Sequence, residues 1–230
     1  MKMRGINIIN PETNEIEEIV EKFERNHGFG DSILYEKCTQ AIKARNFAEI
    51  DETDMRGPIR TYLINWGIMQ RIFSKKVEAE WKEKLLRTIR DNSEFLNRIR
   101  IKKLEETDLN EHEMAIRKCY DKIGEIRGLG SVFISKLLHL FCPYFFPMWD
   151  NTIRKEVSAA SKRSGNSEMG ESATGYLKFI NLIQAFLKKY DGILSRLSEK
   201  FKKPKLKIVD EFMWELLTPE DSSWTFVQYP

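Results

Sequence analysis

A chain of 230 residues with 41% hydrophobic and 32% charged side chains is too apolar for a disordered protein and long enough to bury a sizeable core. Its 38 basic and 35 acidic residues leave a net charge of only +3, so attraction to a polyanion has to come from local patches. Cys38, Cys119 and Cys142 are scattered, odd in number and without a C-x-x-C pair, which excludes a disulfide framework and a cysteine-held zinc or iron–sulfur site.

The N-terminal stretch MKMRGINIINPETNEIEEIV holds no apolar run of signal length, and no later window holds eighteen uninterrupted apolar residues. A soluble, non-secreted, cytoplasmic protein is expected, with no membrane partner. In ETNEIEEIVEKFERN, Ile16, Ile19, Val20 and Phe23 recur at helical spacing, and Gly28-Phe29-Gly30 predicts a stop. Asp31-Ser32 then introduces a second helix to about Asn46. RGPIRTYLINWGIMQRIF restarts the helical period at Pro58, with Trp66, Met69 and Phe73 facing inward. From Lys76 to Lys103, Val77, Trp81, Leu85, Ile89, Phe95, Leu96 and Ile99 recur every three or four positions, with a break at Asp91-Asn92-Ser93, which predicts two helices.

Further helices are predicted over Asp108–Ile126, from the Gly128-Leu129-Gly130 turn to Cys142, and from Asp150 to about Lys162. The Gly- and Ser-rich stretch SGNSEMGESATG predicts a loop, followed by helices over Tyr176–Tyr190, Gly192–Phe201 and Leu206–Leu217. No alternating strand pattern and no solenoid repeat occurs, so the expected fold is all-α with about ten helices.

One stretch carries chemistry. Glycines in a short helix–turn–helix let a backbone approach a phosphate, and the second helix offers unpaired N–H groups and a positive dipole end. A tight helix connection is an equally good reason for two glycines. The sequence Ile123, Ile126, Gly128-Leu129-Gly130, Ser131 to Phe141, Pro147 and Asp150 resembles the signature of the helix-hairpin-helix DNA glycosylases, the endonuclease III and oxoguanine glycosylase superfamily. That signature is an apolar helix end, G-h-G, a helix, a Pro-containing loop and an aspartate a little over twenty residues after the first glycine. Here that separation is 22 residues, from Gly128 to Asp150, and the following DNTIRK also looks like the family's segment.

The resemblance implies two helical subdomains flanking a cleft, with a helix-hairpin-helix motif. One would be 54–145, with the hairpin at 115–142, and the other 1–53 combined with 146–230. It implies a monomer that excises a damaged or mispaired base from double-stranded DNA, without cofactor, metal or iron–sulfur cluster. Two positions depart from the pattern: Ile134 stands where a small residue is usual, and Val132 replaces the lysine of bifunctional members. Lys136 lies four residues beyond that slot, on the same helix face, similar to the later lysine of some archaeal oxoguanine glycosylases.

By this resemblance Asp150 would stabilise the cation-like sugar or orient the nucleophile, and Lys136 would attack the sugar carbon. An ordinary N-cap is the competing reading of Asp150, and a surface lysine that of Lys136. Gly128, Leu129, Gly130, Ser131, Val132 and Arg154 would contact the DNA backbone. His139, Phe145, Phe146, Trp149, Asn65 and Trp66 are candidates for a base pocket or wedge, with buried core as the alternative for the aromatics. The basic run Arg196–Lys207, with Lys155, Lys162 and Arg163, is a further candidate for phosphate contact or a solvated face. Two other readings compete with a glycosylase: a non-catalytic DNA-binding hairpin module, and a helical interaction protein in which the glycines only turn the chain.

Overall fold

The computed structural model describes residues 7–66, 73, 75–163, 165 and 169–217, without the side chains of 29–32 and 75–80. Among them the chain is all-α. Its eleven α-helices are α1 (Thr13–Lys43), α2 (Glu52–Asp54), α3 (Arg60–Asn65), α4 (Lys75–Asp91), α5 (Ser93–Ile99), α6 (Glu113–Gly124), α7 (Ser131–Phe141), α8 (Asn151–Arg163), α9 (Ala173–Lys189), α10 (Asp191–Phe201) and α11 (Lys205–Leu217). The expected inward placement of Met69 and the environment of Val77 lie outside the described residues.

The two helices expected at the N-terminus are one. α1 runs through Gly28 and Gly30 for 31 residues. Each interior glycine costs about 1 kcal/mol relative to alanine, and burial on both sides offsets it: Ile16, Ile19, Val20 and Phe23 before, Tyr35, Cys38 and Ile42 after. Gly28 also makes room, because a Cβ there would lie 2.0 Å from Glu24 Oε2. At the start, the Glu15 carboxylate accepts from the Glu12 N–H at 2.7 Å.

A short helical stretch begins at Glu52, where the Asp51 carboxylate accepts from the Thr53 and Asp54 N–H groups. The restart expected at Pro58 follows a kink, because Gly57 has non-helical backbone angles (φ −87°, ψ −105°) and proline, with no N–H to donate, opens the next turn. The break between α4 and α5 falls at Asn92, within the expected interruption. α6 starts at Glu113 and not Asp108, because Asp108 caps a separate tight turn at Leu109–Glu111, its carboxylate accepting from the Asn110 N–H. α9 begins three residues before the expected Tyr176, where the Ser172 hydroxyl accepts from the Gly175 N–H.

α1 lies against α11, α10, α7 and α3, while α6 packs on α9, α4 and α7, and α8 on α11. The buried apolar side chains form one continuous core, with Trp81, Trp149, Tyr62, Tyr176, Phe47 and Phe141 among the largest. All three cysteines are buried and free. No described helix is long and apolar enough to cross a membrane.

A candidate lysine–carboxylate site

The turn between α6 and α7 is built by one glycine of the two. Gly128 has φ +93°, in the left-handed region that a side chain resists, whereas Gly130 is extended at φ −87° and precedes α7. Neither position has an atom within 4 Å of where a Cβ would stand. Gly128→Ala is therefore expected to lower stability by about 1–2 kcal/mol through backbone strain alone, and Gly130→Ala to leave it nearly unchanged. Denaturant unfolding of both variants checks the asymmetry. Leu129 and Ser131 are buried and Val132 is packed partly on the core, so this turn can meet a phosphate through backbone N–H groups more readily than through side chains.

From α7 the chain enters a loop whose position is fixed residue by residue. The His139 Nδ1 donates to the Phe146 carbonyl at 2.7 Å. The Tyr176 hydroxyl donates to the Pro147 carbonyl at 2.8 Å, and the Tyr62 hydroxyl to Met148 Sδ at 3.0 Å. The Ser135 hydroxyl sits between the Trp149 carbonyl (3.0 Å) and the Trp149 N–H (3.3 Å). The next residue is Asp150. Its Oδ1 accepts from the Ile153 N–H at 2.8 Å, so it caps α8 while four consecutive anchors hold its approach.

The burial of that loop corrects the expected base pocket. Phe145, Phe146, Trp149 and His139 are fully buried, Phe145 against His112 and the others against Phe95, Tyr176, Phe179 and Tyr35. They shape the support of the site and leave no surface for a base. Burial also holds the His139 imidazole neutral, pushing its pKa down to about 3. Since Nδ1 faces a carbonyl, Nε2 is the acceptor for the Tyr35 hydroxyl, 2.9 Å away. Trp149 Nε1 and Asn65 Nδ2 are buried without a hydrogen-bond partner.

Lys136 is no surface lysine. It leaves α7 toward the end of α3 and donates to the Trp66 carbonyl. Burial lowers its pKa, the Asp150 and Asp210 carboxylates oppose that, and the Lys207 ammonium adds to it. Thus Lys136 and Asp150 lie within electrostatic reach of each other. Burial raises the pKa of Asp210 in turn, against Lys207 and Lys136. Trp66 itself is half-buried, stacked on Tyr62 with ring centroids 4.7 Å apart.

Sequence reasoning missed Asp210 and read Lys207 only as the end of the basic run Arg196–Lys207. They come from α11, in KLKIVDEFMWELL, where Leu206, Ile208, Val209, Phe212 and Met213 are buried core. The available signal was the placement of Lys207, Asp210 and Glu211 at i, i+3 and i+4 inside so apolar a helix. Lys207 Nζ lies 3.3 Å from Asp210 Oδ2 and 3.5 Å from Glu211 Oε1.

Most of the run Arg196–Lys207, expected as a phosphate contact or a solvated face, is ion-paired within the chain, Lys202 remaining exposed. Arg196 pairs with Glu17 (2.7 Å), Lys200 with Glu21 (2.5 Å), and Lys203 with Glu24 and Glu211, a ladder matching α10 and the residues after it to α1. Lys205 holds Asp191 and Glu105. Arg154 is likewise held, by Glu171 at 2.7 Å, and its side chain is mostly buried. A hollow of about 360 Å³ beside the α6–α7 turn carries Asp121, Glu125 and Glu171 on its wall, a poor setting for a phosphate.

No family model matches the chain, and neither a curated protein nor a solved structure matches it. The functional reading therefore rests on the chemistry of the site.

Proposed function

We propose that the protein is a DNA glycosylase that excises a damaged or mispaired base from duplex DNA, with Lys136 giving it abasic-site lyase activity. The observation that supports this reading is the half-buried Lys136 amine within electrostatic reach of the Asp150 carboxylate at the start of α8. A lysine is a nucleophile only as the neutral amine, and burial moves it toward that form. A carboxylate beside the sugar stabilises the positive charge that develops at C1′ as the base departs with its bonding electron pair. The amine then bonds to C1′, and opening of the sugar ring, with O4′ taking up a proton, leaves the imine.

Access to the base requires that it leave the stack, and aromatic faces are the natural receivers. Trp66 is half-buried and its backbone carbonyl accepts from Lys136, but its ring is stacked on Tyr62 and lies against Lys207, so it is no freer to receive a base than the loop residues.

A panel of duplexes carrying uracil, a thymine mismatch, oxidised guanine or an alkylated purine tests base release. Borohydride trapping on a duplex with an abasic site tests the lysine. The expected result is a covalent adduct that Lys136→Gln abolishes. The bond from Lys136 to the Trp66 carbonyl favours a second reading, in which the lysine is structural and Asp150 activates water. Base release with no adduct in the parent protein selects that reading. DNA binding with no base release selects a non-catalytic binding module, and no DNA binding removes both.

A further inference from the structure

Lys207 is enclosed in a way that an ion pair alone does not require. Its Nζ lies 5.3 Å from the centre of the Trp66 ring, 5.6 Å from that of Phe23 and 5.7 Å from that of Tyr35. Its exposure is 1%. The ammonium therefore sits among three ring faces contributed by α1 and the end of α3, within the range at which a ring quadrupole attracts a cation. Its counter-ions, Asp210 and Glu211, lie on its own helix. Trp66 is shared: its ring meets Lys207, and its carbonyl accepts from Lys136.

We propose that Lys207 is a positioning residue for the Lys136 amine, fixing through its ring the Trp66 whose carbonyl holds that amine. The inference deepens the lyase reading and rests on it. Three charged groups act on Lys136: Asp150 at the start of α8, and Asp210 and Lys207 on α11. From α1, the neighbouring titratable groups are the Tyr35 phenol and, bonded to it, the neutral His139 of α7. Both carboxylates keep the proton on Lys136, so Lys207 is the charge working in the other direction. A merely structural Lys207 would hold the packing without setting the pH at which Lys136 reacts.

The test is the pH profile of covalent adduct formation with a duplex carrying an abasic site, in the presence of cyanoborohydride. The Lys136 amine condenses with the sugar aldehyde, water leaves, and hydride from the cyanoborohydride reduces the imine to a stable secondary amine. The acid limb of the rate reports deprotonation of Lys136. Lys207→Met removes the charge and keeps an apolar chain of similar length, so Lys136 holds its proton more tightly. The acid limb is expected to move to higher pH by about one unit, a tenfold slower reaction at a fixed pH on that limb. Lys207→Arg, which keeps the charge, is expected to return the limb toward that of the parent. Lys207→Met combined with Glu211→Gln removes the cation together with one counter-ion, and serves if the single variant does not fold; the limb moves the same way. A parent adduct dependent on Lys136 with an unmoved limb in the folded Lys207→Met variants overturns this inference and leaves the lyase reading standing. No Lys136-dependent adduct in the parent overturns the lyase reading itself.

Discussion

Asp150→Asn is expected to slow base release by about 10²–10³-fold while leaving the fold intact. The two halves of that statement have separate physical origins. Asparagine caps a helix as well as aspartate does, so the bond from the Ile153 N–H to Oδ1 survives, and the backbone anchors from His139, Tyr176, Tyr62 and Ser135 are untouched. Unfolding free energy should stay within about 0.5 kcal/mol of the parent, the usual range for a substitution that breaks none of these features. Only the negative charge is lost. The same variant also has a signed effect on the lysine. Asp150 is the larger of the two carboxylates that keep the proton on Lys136, so removing it lowers the Lys136 pKa. The acid limb of adduct formation moves to lower pH, opposite to Lys207→Met. Single-turnover base release, chemical denaturation and the adduct pH profile measure the three effects. An Asp150→Asn protein with parental base release would reduce Asp150 to a cap.

That pairing of cap and charge is the part of the site most legible from sequence. The helix start at Asp150 and the left-handed turn at Gly128 were both readable from residue type alone. The aromatics between them were ambiguous for a physical reason. A base pocket and a packed loop use the same residue types, and composition does not say which ring face is covered. Phe146 and Trp149 are covered by Phe95, Tyr176 and Phe179 from distant helices, and Phe145 by His112 and Phe146.

The basic run was ambiguous in the same manner. A run of Arg and Lys between 196 and 207 carries no local mark of being neutralised, because Glu17, Glu21 and Glu24 lie about 180 residues away. Both sets recur at i, i+4 and i+7, the spacing of one helix face, so two matching stripes were present and only their docking was hidden. The unbroken α1 was hidden for a related reason: Gly28 lowers helix propensity locally, and the Glu24–Lys203 bond that occupies its free space is a tertiary contact. Helix order was readable because the apolar period belongs to each segment by itself.

The largest expected loss of stability is at Glu211. Its exposure is 0%, and its Oε1 receives Lys203 Nζ at 2.7 Å while lying 3.5 Å from Lys207 Nζ. Removing one member of a buried ion cluster leaves its partners in low dielectric with less compensation, which typically costs about 3–5 kcal/mol. For Glu211→Ala the lower part of that range is expected, about 3 kcal/mol, because Lys203 keeps Glu24 and Lys207 keeps Asp210. At about 2–4 °C per kcal/mol for a chain of this size, the melting temperature should fall by roughly 10 °C. Glu17→Ala supplies the contrast, since its pair with Arg196 is largely exposed and worth about 0–1 kcal/mol. Urea unfolding of the two variants under one set of conditions separates them, and equal losses would mean that Glu211 is not a buried keystone between α1 and α11. The consequence reaches the site, because Lys207 is held by the same carboxylate. A Glu211→Ala protein that still folds at low temperature should lose Lys136-dependent adduct formation on heating before its global unfolding transition, as the Lys207 ammonium loosens from Trp66.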